Sequence, residues 1–227
     1  MSILVMDELW VREPRLMVPG LGPIGPVKLD PSFPYKVICA YAGHDVLTGR
    51  PSTDLRSRTV YRGNKAAGFG ATFGTSNDDR IVIPHGNYSG DLIVINNFHA
   101  NGAGEGGYGR LYAGAVSLNH EYEANVYKIF RGLRFAGLSS ITDQAPVNFV
   151  AFWPAVEGSV HLWYNGVLRI YSTSGSYSDA AGDMYLGNRS DLVRCWDGTL
   201  SLFAMISGPY ALAESLARNP YQFLIPA

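Results

Sequence analysis

The sequence contains few charged residues. Asp, Glu, Lys and Arg together make up 16% of the 227 residues, and the formal net charge is −1 at pH 7, whereas about a quarter of the residues are charged in a typical soluble domain. Lysine and arginine form no long basic run. Because proteins hold the phosphates of nucleic acids with clustered Lys and Arg side chains, we expect no nucleic acid among the partners of this chain.

Cysteine and long apolar runs are also scarce. The two cysteines, Cys39 and Cys195, are expected as buried thiols; a disulfide between them requires neighbouring strands, which their spacing does not show. No segment approaches the roughly 20 apolar residues of a membrane-spanning helix. The first 15 residues lack the basic start and apolar core of a secretory signal. The sequence therefore predicts no membrane partner and no secretion signal.

Patterns that carry catalysis or bind metals are missing as well. The five histidines have no metal-ligand spacing, and no Gly-x-Ser-x-Gly nucleophile elbow occurs. Glu121 and Glu123 lie two residues apart, as carboxylates on one strand face of a glycosidase do, but the third carboxylate of such a set is missing. We interpret both as solvated carboxylates near the start of a strand, and we expect no catalytic residue, no cofactor and no metal.

Glycine and tyrosine are abundant, with 26 and 14 copies, and short apolar runs are separated by turn residues throughout the chain. The segment YKVICAYAG, for example, predicts a strand with Tyr35, Val37, Cys39 and Tyr41 on one face. Such runs, with turn signals about every 8–12 residues, are typical of a β-sandwich or jelly roll. The expected fold class is therefore all-β.

The segment 161–172, HLWYNGVLRIYS, alternates apolar and polar residues on both sides of Asn165-Gly166. This pattern predicts an antiparallel hairpin with a two-residue type I′ turn, because Asn and Gly tolerate the positive φ angles of that turn. The residues expected on its apolar face, according to register, are Leu162, Tyr164, Val167 or Leu168, and Ile170.

One short helix is expected near the C-terminus, in the segment GPYALAESLARNP. Pro209 suits the first turn of a helix, Leu212 and Leu216 lie four residues apart, and Asn219-Pro220 would end the helix.

Residues 1–34 are rich in proline and glycine, with six of the 13 prolines between positions 14 and 34. Proline excludes a helix interior and a central strand here, so we expect an extended arm. The arm is too apolar for a solvated linker and should lie on a surface, either of its own domain or of a neighbouring subunit. The residues predicted at a subunit interface are Leu9, Trp10, Leu16, Met17, Leu21 and Ile24.

The segment 101–109, NGAGEGGYG, has five glycines in nine positions and predicts a loop between strands. Since sugars bind to aromatic faces flanked by polar side chains, this loop and a second one offer an alternative site for glycans. The residues of this alternative site are Asn101, Glu105, Tyr108, Tyr177 and Asp179.

Four strings, LWYNGVL, DMYLGN, WDGTLSLFAMI and ALAESLARN, resemble the laminin-G-like members of the concanavalin A-like lectin/glucanase superfamily. The resemblance covers roughly residues 35 to 220. It implies a jelly-roll β-sandwich over residues 35–227, preceded by the arm of residues 1–34 and including the one short helix. The superfamily includes lectins, adhesion modules, hydrolases and structural domains, so the resemblance implies a fold and leaves the function open.

The closing ARNPYQFLIPA and the proline-rich segment before the sandwich are similar to laminin-G-like proteins encoded by tailed bacteriophages. This second resemblance implies a non-enzymatic virion structural protein, such as a capsid decoration or tail-associated subunit, made in the host cytoplasm and located in the virion. Its partners would be copies of itself, other virion proteins and, in the alternative of a carbohydrate-binding adhesion module, surface glycans. A glycoside hydrolase is the third alternative.

Overall fold

A computed structural model describes most of the chain from Val27 onward. The described residues are 27–49, 61–63, 69–74, 80–100, 108–114, 118–123, 126–132, 134–139, 147–156, 158–175 and 181–227. Within these ranges the chain forms 16 β-strands and one α-helix.

The strands follow one another in short succession. They are β1 (Val27–Leu29), β2 (Lys36–Tyr41), β3 (Tyr61–Gly63), β4 (Phe69–Phe73), β5 (Ile81–His85), β6 (Leu92–Ala100), β7 (Tyr108–Gly114), β8 (Asn119–Glu123), β9 (Val126–Arg131), β10 (Arg134–Ser139), β11 (Val147–Trp153), β12 (Ser159–Tyr164), β13 (Val167–Ser172), β14 (Gly182–Leu186), β15 (Gly198–Ser207) and β16 (Leu224–Pro226). The helix, α1, spans Tyr210–Arg218.

Two antiparallel sheets make up the body of the protein. The six-stranded sheet has the order β10-β9-β8-β7-β14-β5, and the eight-stranded sheet has the order β13-β12-β11-β6-β15-β4-β3, with β2 also paired to β15. The strand order departs from chain order where β14 and β15 join strands from earlier in the chain. The predicted jelly-roll β-sandwich is confirmed.

The strands β6 and β15 lie in the middle of the eight-stranded sheet and are buried on both faces. In β6, Leu92 and Val94 face the six-stranded sheet, whereas Ile93 and Ile95 face the opposite side. Alternate side chains of a strand point to opposite faces, so a continuous apolar run such as LIVI requires cover on both. The eight-stranded sheet is therefore the central layer of three.

The third layer consists of α1, the short β1–β16 ribbon and the segments next to them. Leu212 and Leu216, four residues apart, are buried on the outer face of the eight-stranded sheet together with Tyr221 and Phe223. The helix begins after Pro209 and ends at Asn219, as the sequence predicts. Burial of each such side chain stabilises the fold by about 1.5–3 kcal/mol.

The Asn165-Gly166 hairpin is confirmed, with φ angles of 47° and 79° at the two turn residues. Tyr164 pairs with Val167 across the turn. The predicted single apolar face is wrong in part, because Ile170 pairs with His161 and lies on the face opposite to Tyr164. Strand β13 ends the sheet, so its apolar side chains stay exposed on both faces.

The predicted alternation of β2 is also wrong in part. Cys39 and Tyr41 face the core between the sheets, but Val37 lies in the core on the helix side. The cause is a β-bulge. Cys39 pairs with Met205 and Val37 pairs with Ile206, so β2 has one extra residue, Ile38, between two successive pairs with β15. An extra residue in one strand reverses the faces of the residues on either side of it.

Residues 27–34, the last part of the predicted arm, lie against the domain. Val27 pairs with Pro226, and Leu29 pairs with Leu224. Val27 is buried in the helix-side core, and Phe33 packs against that core. This part of the arm thus contacts its own domain; residues 1–26 lie outside the described residues.

Two buried arginines at the β9–β10 turn connect the two sheets. Arg131 donates hydrogen bonds to the carbonyl oxygens of Trp153 and Gly90 at 3.1 and 2.9 Å. Arg134 donates to the carbonyl oxygens of Gly175 and Pro154 at 3.2 and 3.1 Å. Each guanidinium satisfies carbonyl groups of loops that flank the other sheet, which fixes the two sheets relative to each other at this end of the sandwich.

We expect Arg131→Met to lower the free energy of unfolding by about 3 kcal/mol, because the substitution leaves buried carbonyl groups without a donor. Urea denaturation measures the change. Arg169→Met removes an exposed arginine of β13 and serves as the matched control, with an expected change within about 0.5 kcal/mol. Equal stability of the two variants would contradict the role assigned to Arg131.

Candidate functional site

The residues predicted for function lie mainly outside the described part of the chain. This holds for the six interface residues of the arm, Leu9, Trp10, Leu16, Met17, Leu21 and Ile24, and for Asn101, Glu105, Tyr177 and Asp179 of the alternative glycan site. Tyr108 begins β7, where its backbone pairs with Glu123. These assignments remain predictions.

Glu121 is not the solvated carboxylate that the sequence analysis expected. It lies within β8 and is buried. Its Oε2 accepts a hydrogen bond from Nη2 of Arg110 at 2.6 Å, and Lys128 is its neighbour on β9. The guanidinium of Arg110 therefore balances the charge of this carboxylate. A carboxylate paired in this way is suited to hold two strands together and is poorly placed to act as a nucleophile.

A polar cluster lies in the core between the sheets, and the sequence analysis did not find it. His120 of β8 is fully buried among the rings of Phe98, Tyr112, Tyr127 and Phe149, with centroids 4.7–5.7 Å away. Burial lowers the pKa of His120 from 6.5 to about 3. The ring is therefore neutral at pH 7.

Asn96 of β6 is the polar neighbour of this histidine. Its Nδ2 donates to Nδ1 of His120 at 3.4 Å, which places the ring proton on Nε2. That Nε2 is buried without a hydrogen-bond partner among the described residues, and Asn96 is also a hydrogen-bonding neighbour of the Tyr112 hydroxyl. Burial also raises the pKa of Tyr112, so the hydroxyl stays protonated. The cluster is neutral and enclosed, which gives it a structural rather than a catalytic character.

His120 should make stability depend on pH. The unfolded chain takes up a proton at this histidine below pH 6.5, whereas the folded chain does so only near pH 3. The contribution of His120 to the free energy of unfolding is therefore fully present above pH 6.5 and falls with decreasing pH by up to about 1.4 kcal/mol per unit. We expect His120→Leu to remove this part of the slope in urea denaturation between about pH 6.5 and pH 4. Parallel curves for the two proteins would contradict the assignment.

A groove of about 400 Å³ opens between the segment 30–35 and helix α1. Its size falls in the range of roughly 300–1,000 Å³ that is usual for sites of small ligands. Aromatic, hydroxyl, amide and carboxylate side chains share the groove, and no cation occurs among the described residues that line it. The lining residues are Asp30, Ser32, Phe33, Pro34, Tyr35, Ala211, Leu212, Ser215 and Gln222.

The wall formed by segment 30–35 is shaped by a turn directly after β1. Asp30 Oδ1 accepts hydrogen bonds from the backbone N and the Oγ of Ser32 at 2.8 and 2.6 Å. Asp, Pro and Ser favour such turns, because the carboxylate bonds to the backbone two residues on. The turn brings Phe33 and Tyr35 next to each other, with ring centroids 5.6 Å apart, and Phe33 also contacts Phe223 at 5.8 Å.

The opposite wall presents a polar pair. Ser215 of α1 donates its hydroxyl proton to Oε1 of Gln222 at 2.9 Å. Nε2 of Gln222 is buried and has no hydrogen-bond acceptor within the described part of the chain. The Ser215–Gln222 pair thus adds a hydroxyl and an amide to the wall opposite Phe33 and Tyr35.

The sequence does not reveal the groove, because its two walls lie at opposite ends of the chain. Residues 30–34 belong to the predicted arm, Tyr35 begins a predicted strand, and Gln222 follows the helix at the other end. Two aromatic residues within the turn-rich string DPSFPY were the available signal. What the sequence could not show is the β1–β16 pairing that brings the two ends together.

Other kinds of site find no support in the described residues. No group of three or more His, Cys, Asp and Glu side chains there could hold a metal ion, and no helix there is long and apolar enough to cross a membrane. Cys39 and Cys195 are both buried and are not linked to each other. Burial raises the pKa of Cys39, so its thiol is a poor nucleophile.

No family model matches the sequence, and no curated protein matches it either. Solved structures do match in shape. Domain 4 of an extracellular arabinanase from Geobacillus stearothermophilus, solved in complex with arabinotriose, has a TM-score of 0.51 at 14% identity, over 81% of this chain and 98% of that one. A heptameric SAP-like pentraxin from Limulus polyphemus has a TM-score of 0.50 at 14% identity, over 64% and 80% of the two chains.

A Trypanosoma rangeli sialidase matches with a TM-score of 0.54 at 10% identity, over 94% of this chain. The match spans only 38% of the sialidase. At such identities these similarities establish the fold, which is that of a lectin-like jelly-roll β-sandwich.

Proposed function

We propose that this chain is a non-enzymatic adhesion module that binds a short neutral oligosaccharide in the groove between segment 30–35 and α1. The observation that carries the proposal is the groove itself, in which the aromatic rings of Phe33 and Tyr35 share the lining with the polar side chains of Asp30, Ser215 and Gln222.

The chemistry of the groove matches that of a sugar. A pyranose or furanose ring has an apolar C–H face, which packs against an aromatic ring such as that of Tyr35, and hydroxyl groups around its rim. These hydroxyls accept a hydrogen bond from the amide of Gln222 and donate to carboxylate or hydroxyl oxygens such as those of Asp30 and Ser215. Ligand sites in general combine apolar walls with a few placed polar groups.

The charges of the groove favour a neutral ligand. Among the described residues of its lining, Asp30 is the charged one, and neither a lysine nor an arginine is found there. An acidic sugar would be repelled by the carboxylate and would find no cation to pair with.

The same lining favours binding over hydrolysis. Glycosidases place two carboxyl groups about 5–9.5 Å apart around the scissile bond, and the groove contributes Asp30 alone. The other pair considered, Glu121 and Glu123, includes one carboxylate that is bound to Arg110. The arabinanase domain with a similar fold was solved with arabinotriose bound, which supports a search that begins with short neutral oligosaccharides.

The test is a glycan array followed by calorimetric titration of the strongest neutral oligosaccharide. We expect Tyr35→Ala and Gln222→Ala each to weaken binding about tenfold, since each loses about 1.4 kcal/mol of contact with the ligand. Circular dichroism and urea denaturation should show both variants folded.

Tyr185→Ala is the matched control. Tyr185 is a partly exposed tyrosine of β14 on the six-stranded sheet, where the guanidinium of Arg80 lies 5.2 Å from its ring centre. We expect its removal to leave the affinity unchanged. If Tyr185→Ala abolishes binding and the groove variants do not, the ligand lies on the six-stranded sheet. If no neutral oligosaccharide binds, the proposal is wrong.

A second candidate function is that of a structural subunit of a bacteriophage virion, as a capsid decoration or tail-associated protein. It is supported by the resemblance of both ends of the chain to phage-encoded proteins and by the exposed apolar residues Val167, Leu168 and Ile170 of β13. Adhesion to a glycan and assembly into a particle are compatible, since they use different elements of the domain.

For this second function we expect the chain to remain with intact particles of the encoding phage through density-gradient centrifugation. Quantitative mass spectrometry of the particles should then find it in a fixed number of copies relative to the major capsid protein. Recovery of the chain only in the soluble fraction of the lysate would contradict a virion role.

A further inference from the structure

We propose that β13, the last strand of the eight-stranded sheet, pairs antiparallel with β13 of a second copy of this chain. Three of its six residues are exposed apolar ones, with Val167 at 61%, Leu168 at 40% and Ile170 at 58% exposure, and Arg169 is its only charge. A flat apolar edge strand of this kind offers both backbone hydrogen bonds and apolar contacts to another strand.

Several other end strands of the two sheets carry features that hinder further pairing. Strand β5 carries the exposed Pro84, which has no N–H to offer. Strand β3 has only three residues, and on β2 the carbonyl of Ala40 accepts a hydrogen bond from the backbone N–H of Val46. Natural proteins blunt edge strands by such means and by charged side chains; β13 has six residues and no proline, and Arg169 is its one charged residue.

The hairpin geometry determines which backbone groups are available. In a two-residue type I′ hairpin, the residues that flank the turn, here Tyr164 and Val167, exchange both of their hydrogen bonds. The N–H and C=O groups of Leu168, Ile170 and Ser172 then point away from β12. These three residues are the ones that can bond to a further strand.

The sequence of β13 favours one register with itself. Around a twofold axis perpendicular to the sheet, Ile170 can face Ile170 of the second copy, which places Arg169 opposite Tyr171 and Leu168 opposite Ser172. All five residues from 168 to 172 take part. A register centred on Arg169 would set two arginines directly opposite each other, which is destabilising.

A register centred on Leu168 would shorten the overlap, because Ile170 would then face the turn residue Gly166. The register centred on Ile170 thus combines the longest overlap with no repulsion between like charges. This self-complementarity is the argument for a second copy as the partner.

Sedimentation velocity and multi-angle light scattering of the full chain test the proposal over a series of concentrations. We expect the chain of 24.7 kDa to form a dimer. Ile170→Lys and Ile170→Glu should each give a monomer, because two like charges would face each other at the axis. An equimolar mixture of the two variants should restore the dimer as a Lys–Glu pair, a result that requires this register.

Val156→Lys is the matched control, since Val156 is 74% exposed and lies outside β13. It should leave the dimer intact. A wild-type chain that stays monomeric at every concentration would overturn the proposal, as would Ile170 variants that associate like the wild type. If Trp10→Ser with Met17→Ser abolishes association while the Ile170 variants retain it, the N-terminal arm is the interface and β13 is not.

Discussion

The pairing of β6 with β15 is the interaction on which the other elements depend. The two strands are in register from Leu92 opposite Ser207 to Ala100 opposite Gly198, with one bulge near Ser201. Both strands are buried on both faces, so one ladder supports the core between the sheets and the core beneath α1. A substitution in β6 or β15 therefore affects packing on both faces of the sheet, whereas a substitution in an end strand affects pairing with one neighbouring strand only. We therefore expect substitutions to be tolerated best at the edges and turns of this fold.

How far the sequence predicts this structure depends on how local each feature is. The Asn165-Gly166 turn and helix α1 follow from residues within a few positions of each other, and both were predicted. The bulge in β2 was not, because it arises from the pairing of Val37 and Cys39 with a strand more than 160 residues away. The same holds for His120, whose enclosure by rings from both sheets exists only after the sheets pack.

The candidate binding groove also depends on contacts between segments that are far apart in the sequence. The sequence places Asp30 in the predicted arm, Tyr35 at the start of a predicted strand and Gln222 in the chain beyond the helix; none of these segments suggests a site on its own. Once β1 and β16 pair, aromatic, carboxylate and amide groups stand in one concavity. If two such domains associate through β13, the dimer carries two grooves. Such a dimer would bind a surface rich in the ligand with an avidity above the affinity of one groove.

The β1–β16 ribbon has a mechanical consequence. Val27 pairs with Pro226, so a tension applied between the preceding chain and the C-terminus pulls the ribbon apart from its open end. The hydrogen bonds of the ribbon would then break one after another and not all together. We therefore expect the ribbon to open at a lower force than the sandwich. Asp30 follows β1 directly, so peeling of this strand dismantles one wall of the groove. A ligand of the proposed kind would then be released when the ribbon opens under tension, and the attachment would withstand only a limited force.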